Sequence, residues 1–161
     1  MVKSGVASNI AKENKMPSVS AVVVNFNGGD VILSCLQALY RQDIPLTETI
    51  VVDNGSIDGS LDSMRKSFPG VRIVELGENR GPPAARNIGL RLAATDLVLL
   101  NTSDVYVAKD GLRHLLEAYR RNQPTVVCPR VLLCLLLGLV AFARGFRRGC
   151  CEAVKEEKQA I

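Results

Sequence analysis

Polar and apolar residues follow one another along this chain in a repeating cycle of short strand-like and longer helix-like blocks. Ser18 to Val24 is a β-branched run, the composition of a buried strand. Asn25-Phe26-Asn27-Gly28-Gly29-Asp30 follows with turn chemistry. From Val31 to Gln42 apolar residues fall at 31, 32, 35, 36, 39 and 40, a helical spacing that Asp30 is placed to cap. The cycle then recurs. Thr49 to Val52 reads as a short strand ending in Asp53, and 54–59 as a loop. Leu61, Met64 and Phe68 mark one face of a second helix, and Val71 to Leu76 a third strand. Glu78 to Pro83 is a loop whose prolines suit a first helical turn. Ala84, Ala85, Ile88 and Leu92 continue as a third helix. Leu97 to Leu100 predicts a fourth strand that enters Asn101-Thr102-Ser103-Asp104. Leu112, Leu115, Leu116 and Tyr119 mark a fourth helix, and Thr125 to Cys128 a fifth strand.

Strands alternating with helices imply an α/β fold, a mostly parallel sheet with helices on both faces. Ligands of such sheets bind beyond the carboxyl ends of the strands. The polar loops after strands one, two and four fall at those ends and point to a single crevice.

The organisation read from these blocks is a flexible arm at 1–17, a domain at 18–130 and an apolar segment with a polar tail at 131–161. Val131 to Ala143 carries no charge and is bounded by Arg130 and Arg144. It reads as a buried helix on the sheet, as an interfacial helix, or as a membrane span, although a span needs roughly 20 apolar residues.

Composition narrows the classes. The length of 161 residues suits one domain, and 47% hydrophobic residues support a core. Aromatics at 4% without Trp argue against nucleic-acid modules that stack bases on rings. The net charge is +4, much of its excess carried by Arg120, Arg121, Arg130, Arg144, Arg147 and Arg148. That cluster points to a peripheral membrane contact through Val131–Phe146. The five cysteines show no CxxC spacing, and the arm lacks the apolar stretch of a signal peptide, so the expected compartment is the cytoplasm, at the inner face of the membrane where contact occurs. His114, the single histidine, reads as a surface residue of the fourth helix. The absence of GxGxxG after the first strand disfavours a dinucleotide-binding enzyme.

The candidate chemistry lies in the loops. Asp53 puts a carboxylate at a strand end, where it can accept hydrogen bonds from a base N–H or ribose hydroxyls. Ser56 and Asp58 have two readings, as ligand contacts or as caps of the next helix. Three stretches stand in order on strand-to-helix junctions: Ala21-Val22-Val23-Val24-Asn25-Phe26-Asn27-Gly28, then Ile50-Val51-Val52-Asp53-Asn54-Gly55-Ser56-Ile57-Asp58-Gly59, then Glu78-Asn79-Arg80-Gly81-Pro82-Pro83-Ala84-Ala85-Arg86-Asn87-Ile88-Gly89. In this order and spacing they resemble the motifs of family 2 glycosyltransferases, over roughly residues 18–130. The Asn25-Phe26-Asn27-Gly28 variant is most similar to rhamnosyltransferase-type and cell-wall members.

The resemblance implies the Rossmann-like nucleotide-binding half of a GT-A fold. It also implies an inverting transfer of sugar from a nucleoside diphosphate sugar to a hydroxyl of a glycan or lipid-linked acceptor. Asn25 and Asn27 are then expected to line the base and ribose pocket, Asp53 to bind base or ribose, and Arg86 to lie near the nucleotide. Asn54, Ser56, Asp58 and Ser103 complete the expected nucleotide-sugar set. The family holds a divalent cation, Mg²⁺ or Mn²⁺, with an Asp-x-Asp signature. Its counterparts here are Asn101 and Ser103, or Asp104 alone, so Asp104 is the metal-ligand candidate. Family members follow the metal strand with an acceptor-binding half that supplies the general base. This chain leaves the pattern near Arg130, and no catalytic base is assigned. The rival expectation is a truncated, catalytically incomplete nucleotide-sugar-binding module.

Overall fold

The computed structural model describes residues 16–122, 126–127, 133–134 and 140–141. The chain falls into two compact units, 1–112 and 113–161. The first is built as β1 (Val19–Asn25), α1 (Gly29–Tyr40), β2 (Glu48–Asp53), α2 (Ser60–Ser67), β3 (Arg72–Glu75), α3 (Pro82–Leu92) and β4 (Leu97–Thr102). Helix α4 (Gly111–Asn122) begins there and runs into the second unit.

The four strands form one parallel sheet in the order β3-β2-β1-β4. Ala21, Val23 and Val51 meet Ile32, Cys35, Leu36 and Leu39 of α1 and Met64 of α2 on one face. Val22, Val24, Ile50 and Val52 meet Ala85 of α3 on the other. A central strand buried on both faces has no polar side to show, which is why β1 reads as an unbroken apolar run. Each such side chain contributes roughly 1.5–3 kcal/mol by leaving water. The expected α/β class with helices on both faces is therefore what is found.

Two details place the site. A Cβ on Gly89 would lie 2.3 Å from Val22 Cγ1 and 3.1 Å from Val52 Cγ2. Only glycine lets α3 come that close to the sheet, and this holds Arg86, one turn earlier, near the carboxyl ends of the strands. Gln42, at the end of α1, donates through Nε2 to the carbonyls of Val107 at 3.2 Å and Ala108 at 2.8 Å. Its Oε1 accepts from the Leu112 N–H at 3.0 Å, so the segment after β4 is pinned from below.

Three expectations are corrected. Asp30 does not cap α1: the helix opens at Gly29 with Gly28 at the N-cap position, and Asp30 lies inside the first turn. Gly29 takes a φ of +49°, a left-handed conformation that glycine adopts without a Cβ penalty. Val126 and Val127, inside the expected strand at 125–128, are in no strand, and Thr125 and Cys128 lie outside the described residues. Two β-branched residues do not make a strand without neighbours to pair with. The helix expected within 131–143 is also not found where the chain is described: Leu133–Cys134 pairs antiparallel with Val140–Ala141. A run apolar at every position carries no period, so it cannot tell helix from strand.

His114 is exposed on α4, 3.8 Å from Glu117. Among the described residues no helix is long and apolar enough to cross a membrane. Most of Val131–Phe146 and all of 1–15 lie outside the described residues.

Candidate functional site

The strand order reverses between β1 and β4: the chain winds outward through β2 and β3, then returns to the other side of β1. At such a switch point the loops diverge and leave a crevice. A cavity of about 370 Å³ opens there. Val24, Phe26, Asn27 and Gly28 line it from β1 and its loop, Asn54 from the second loop and Asn79 from the third. Pro82 and Arg86 line it from α3, and Thr102, Ser103 and Asp104 from the end of β4.

Beneath the first two loops lies a closed polar knot. Asn25 and Asp53 are register partners at the ends of β1 and β2 and are 0% and 1% exposed. Asn25 Nδ2 donates to Asp53 Oδ1 at 2.9 Å and faces the Ser56 and Ser60 hydroxyls at 3.1 Å each. Asp53 Oδ1 also accepts from Ser56 Oγ at 2.6 Å, and Oδ2 from the Ser56 N–H at 2.9 Å. A buried carboxylate is tolerable when charge-assisted bonds replace water in this way. Ser56 Oγ accepts from the Asn27 N–H at 2.9 Å, so the knot also holds the first loop. Among the described residues, Asn25 Oδ1 is the one buried side-chain oxygen or nitrogen without a partner.

The loops are clamped to one another. Asn27 sits in the left-handed region at φ +51° and its Oδ1 accepts from the Ile57 N–H at 2.9 Å. Asn54 Nδ2 donates to Asn79 Oδ1 at 2.7 Å, and Asn54 Oδ1 accepts from the Arg80 N–H at 2.9 Å. Asn79 Oδ1 takes the Gly81 N–H as well. Gly55 lets the second and third loops touch, since a Cβ there would lie 2.7 Å from the Glu78 carbonyl carbon.

Asp58 stands apart from the cavity wall. Its Oδ2 accepts from the Gly29 N–H at 2.7 Å, and its Oδ1 from the Ser60 hydroxyl at 2.6 Å and the Ser60 N–H at 3.1 Å. One carboxylate thus serves the first turns of α1 and α2. The Ser60 hydroxyl bond, with the backbone N–H bonds, holds its carboxyl below the usual range despite the opposing effect of desolvation.

At the end of β4, Asn101 turns inward. Its Nδ2 donates to the Val105 carbonyl at 3.0 Å and to Cys35 Sγ at 3.4 Å. Burial pushes the Cys35 thiol up to about 11, against the Asn101 bond that lowers it. Asp104 is exposed at the rim, its Oδ1 accepting from the Thr102 hydroxyl at 2.6 Å. Arg86 is half-buried on the wall, with no ion pair or hydrogen bond among the described residues. Among those residues no group of three or more His, Cys, Asp or Glu gathers as a metal cluster. One exposed carboxylate beside hydroxyls still fits a hard cation that takes its other oxygens from a substrate.

Of the residues singled out by sequence, Asn27, Asn54, Arg86, Ser103 and Asp104 come together on one wall. Asn25, Asp53 and Ser56 gather in the knot, and Asp58 at the two helix starts. Sequence reasoning passed over Asn79, Thr102 and Phe26 as site residues. Asn79 had one signal, its place at a strand-to-helix junction inside the third motif.

These motif loops, on a parallel sheet with the crevice at its switch point, have the architecture of the N-terminal part of a GT-A fold. The family model described as Glycosyl transferase family 2 matches residues 20–136, and the chain belongs to that family. It is 33% identical over 105 residues to the succinoglycan biosynthesis protein ExoO of Rhizobium meliloti, which covers 65% of this chain and 30% of that protein. It is 32% identical over 114 residues to a poly(ribitol-phosphate) beta-glucosyltransferase of Bacillus spizizenii, 67% of this chain and 18% of that one. Among solved structures, TarS of Staphylococcus aureus in complex with UDP-GlcNAc superposes with a TM-score of 0.60 at 30% identity, covering 66% of this chain and 32% of that chain. The mannosyltransferase PcManGT of Pyrobaculum calidifontis, in complex with GDP-Man and Mn²⁺, gives 0.60 at 29% identity, covering 74% and 35%. The four-stranded parallel sheet and its helices match the N-terminal GT-A part of TarS. The chain spans a third or less of the two curated relatives named.

Proposed function

We propose that residues 18–130 form the donor half of an inverting glycosyltransferase, which moves a sugar from a nucleoside diphosphate sugar to a hydroxyl of a glycan or lipid-linked acceptor. The observation that carries this reading is the half-buried Arg86, unpaired among the described residues, on a cavity wall made by all three motif loops and the end of β4. A guanidinium held that way has its fork of donors open to an anion, and a diphosphate is the anion this family handles. The relatives named carry UDP-GlcNAc in one case and GDP-Man in the other, which supports the donor class and leaves the base open. Rhamnose as the sugar rests on the resemblance of Asn25-Phe26-Asn27-Gly28 alone.

In this reading Asn27, Arg86 and Ser103 touch the donor. Asp53, 1% exposed and outside the cavity lining, supports the pocket from beneath by holding Asn25 and Ser56. Asn25, Asn54, Ser56 and Asp58 act through the loops they hold. Asp104 would hold Mg²⁺ or Mn²⁺ together with phosphate oxygens, and the cation when bound would neutralise charge on the leaving diphosphate. The acceptor oxygen attacks the anomeric carbon from one face, the diphosphate leaves from the other, and the hydroxyl proton passes to a base.

The test is transfer or donor hydrolysis by purified protein with UDP-, GDP- and dTDP-sugars in Mg²⁺ and Mn²⁺. Turnover supports the enzyme. A second reading, a nucleotide-sugar-binding module without turnover, has its own observation: among the described residues Asp104 is the cavity's one carboxylate, and it cannot both hold a cation and accept the acceptor's proton. Calorimetry separates the two, since nucleotide binding without turnover favours the module. A folded protein that binds none of the three nucleotides would remove both readings.

A further inference from the structure

The end of β4 divides its polar side chains between two sides. Thr102, Ser103 and Asp104 line the cavity. Asn101 does not. It is 7% exposed and is the register partner of Val23, whose side chain packs on α1. Paired positions of a sheet share a face, so Asn101 is turned toward α1. There its Nδ2 donates to the Val105 carbonyl at 3.0 Å and to Cys35 Sγ at 3.4 Å. A carbonyl only accepts, so the network fixes the amide with its nitrogen toward Val105. That bond closes the stretch 101–105 around Asp104. Inside it the Val105 N–H donates to the Thr102 carbonyl at 3.2 Å, and the Thr102 hydroxyl to Asp104 Oδ1 at 2.6 Å. Cys35 Sγ faces the same Thr102 carbonyl at 3.6 Å. Beyond Val105 the chain is next held at Val107 and Ala108, by Gln42. Asn101 is thus the side chain that braces the loop carrying Asp104, and it does so from beneath.

We propose that Asn101 is a positioning residue for Asp104 and not itself a cation ligand. The proposal rests on the reading in which Asp104 holds a cation together with the donor diphosphate. By sequence, Asn101 stands where the Asp-x-Asp signature has a carboxylate, so an aspartate at this position would be expected to restore a ligand. The geometry gives the opposite result. A carboxylate at 101 sets an acceptor against the Val105 carbonyl in a buried place, and the bond that closes the loop is lost. The loop then has to be ordered anew whenever cation and diphosphate bind, and that ordering costs affinity. Asn101 contributes by holding Asp104 in place beforehand.

The experiment is calorimetry of UDP and GDP with the full chain, in Mg²⁺ and again in EDTA. The ratio of the two affinities isolates what the cation contributes. In the parent, Mg²⁺ tightens the nucleotide that binds. Asn101→Asp and Asn101→Ala each lower the ratio about tenfold and leave the EDTA affinity within about twofold. A purely structural loss would instead lower the melting temperature, or weaken both affinities together, and leave the ratio alone. A second readout needs no ligand. Hydrogen exchange at the Val105 amide speeds up in both variants, while the amides of β1 and β2 exchange as in the parent. The alanine variant buries no charge, so it gives the answer where the aspartate variant does not fold. A ratio above the parent's in Asn101→Asp makes position 101 a ligand and overturns the proposal. A ratio unmoved in a folded variant overturns it too. A parent that binds a nucleotide equally well with and without Mg²⁺ also overturns it, and leaves the donor reading standing. Silence with both nucleotides in both buffers sinks the donor reading and takes this proposal with it.

Discussion

The knot under the second loop and the wall of the cavity are built from the same residue types, yet their polar groups are in opposite states. Asn25, Asp53, Ser56 and Ser60 are bonded to one another, and all but the half-buried Ser56 lie out of water. Asn27, Asn79 and Arg86 line the cavity and keep donors unspent among the described residues. An asparagine in a motif can therefore build the site or serve its ligand. What separates the two is which atoms are already bonded, and residue type does not show that.

The comparison can be broken at several points, taken from the largest expected effect to the smallest. Asp53→Ala should cost about 3 kcal/mol, because it removes the acceptor of the Ser56 N–H, the Ser56 hydroxyl and one of the Asn25 amide bonds. Urea unfolding measures this, and an unchanged midpoint would show that the knot holds nothing. Gly28→Ala should cost about 2 kcal/mol by overpacking, with its Cβ only 2.3 Å from Asn25 Oδ1. The backbone would not object, since Gly28 has a φ of −80°. The obstacle is the Asn25 amide, whose nitrogen is held in place by the knot. An alanine variant as stable as the parent would mean that this amide can turn.

On the cavity side the pattern should invert. Arg86→Ala should lower nucleotide affinity about tenfold or more while moving stability by less than about 0.5 kcal/mol. Calorimetry and unfolding on the same sample read both, and a large stability loss with unchanged binding would place Arg86 among the builders. The smallest effect belongs to Asp58. Its carboxyl is held below the usual range, chiefly by the Ser60 hydroxyl, so its contribution to stability is present above the unfolded pKa of about 3.9. It is lost as pH falls through the lower folded value. Acid unfolding should come at higher pH in Asp58→Ala than in the parent only if those bonds matter. Coincident acid transitions would remove Asp58 from the list of supports.

Much of the first unit was legible because its periods are strong. The apolar run before Asn25 became β1, and the spacing of Ile32, Cys35, Leu36 and Leu39 became the buried face of α1. Pro82 and Pro83 opened α3 as their fixed φ suggests. Legibility failed where a local signal had a distant competitor. Asp30 looked like a cap, but the carboxylate that meets the first amide of α1 comes from Asp58, 29 positions away. Val131 to Ala143 looked helical by length, and an unbroken apolar run holds no period to correct that.

Sequence alone determined the order of strands and helices, and it put asparagines, aspartates and an arginine at the carboxyl ends, because side-chain periodicity and turn chemistry are local properties of the chain. Only the folded molecule decided which of those groups are spent and which are open. Hydrogen bonds such as Asn25 to Asp53 and Asn54 to Asn79 join residues 28 and 25 positions apart, and no local pattern records who reaches whom. The open donors at the cavity are what remains after those distant pairings are made.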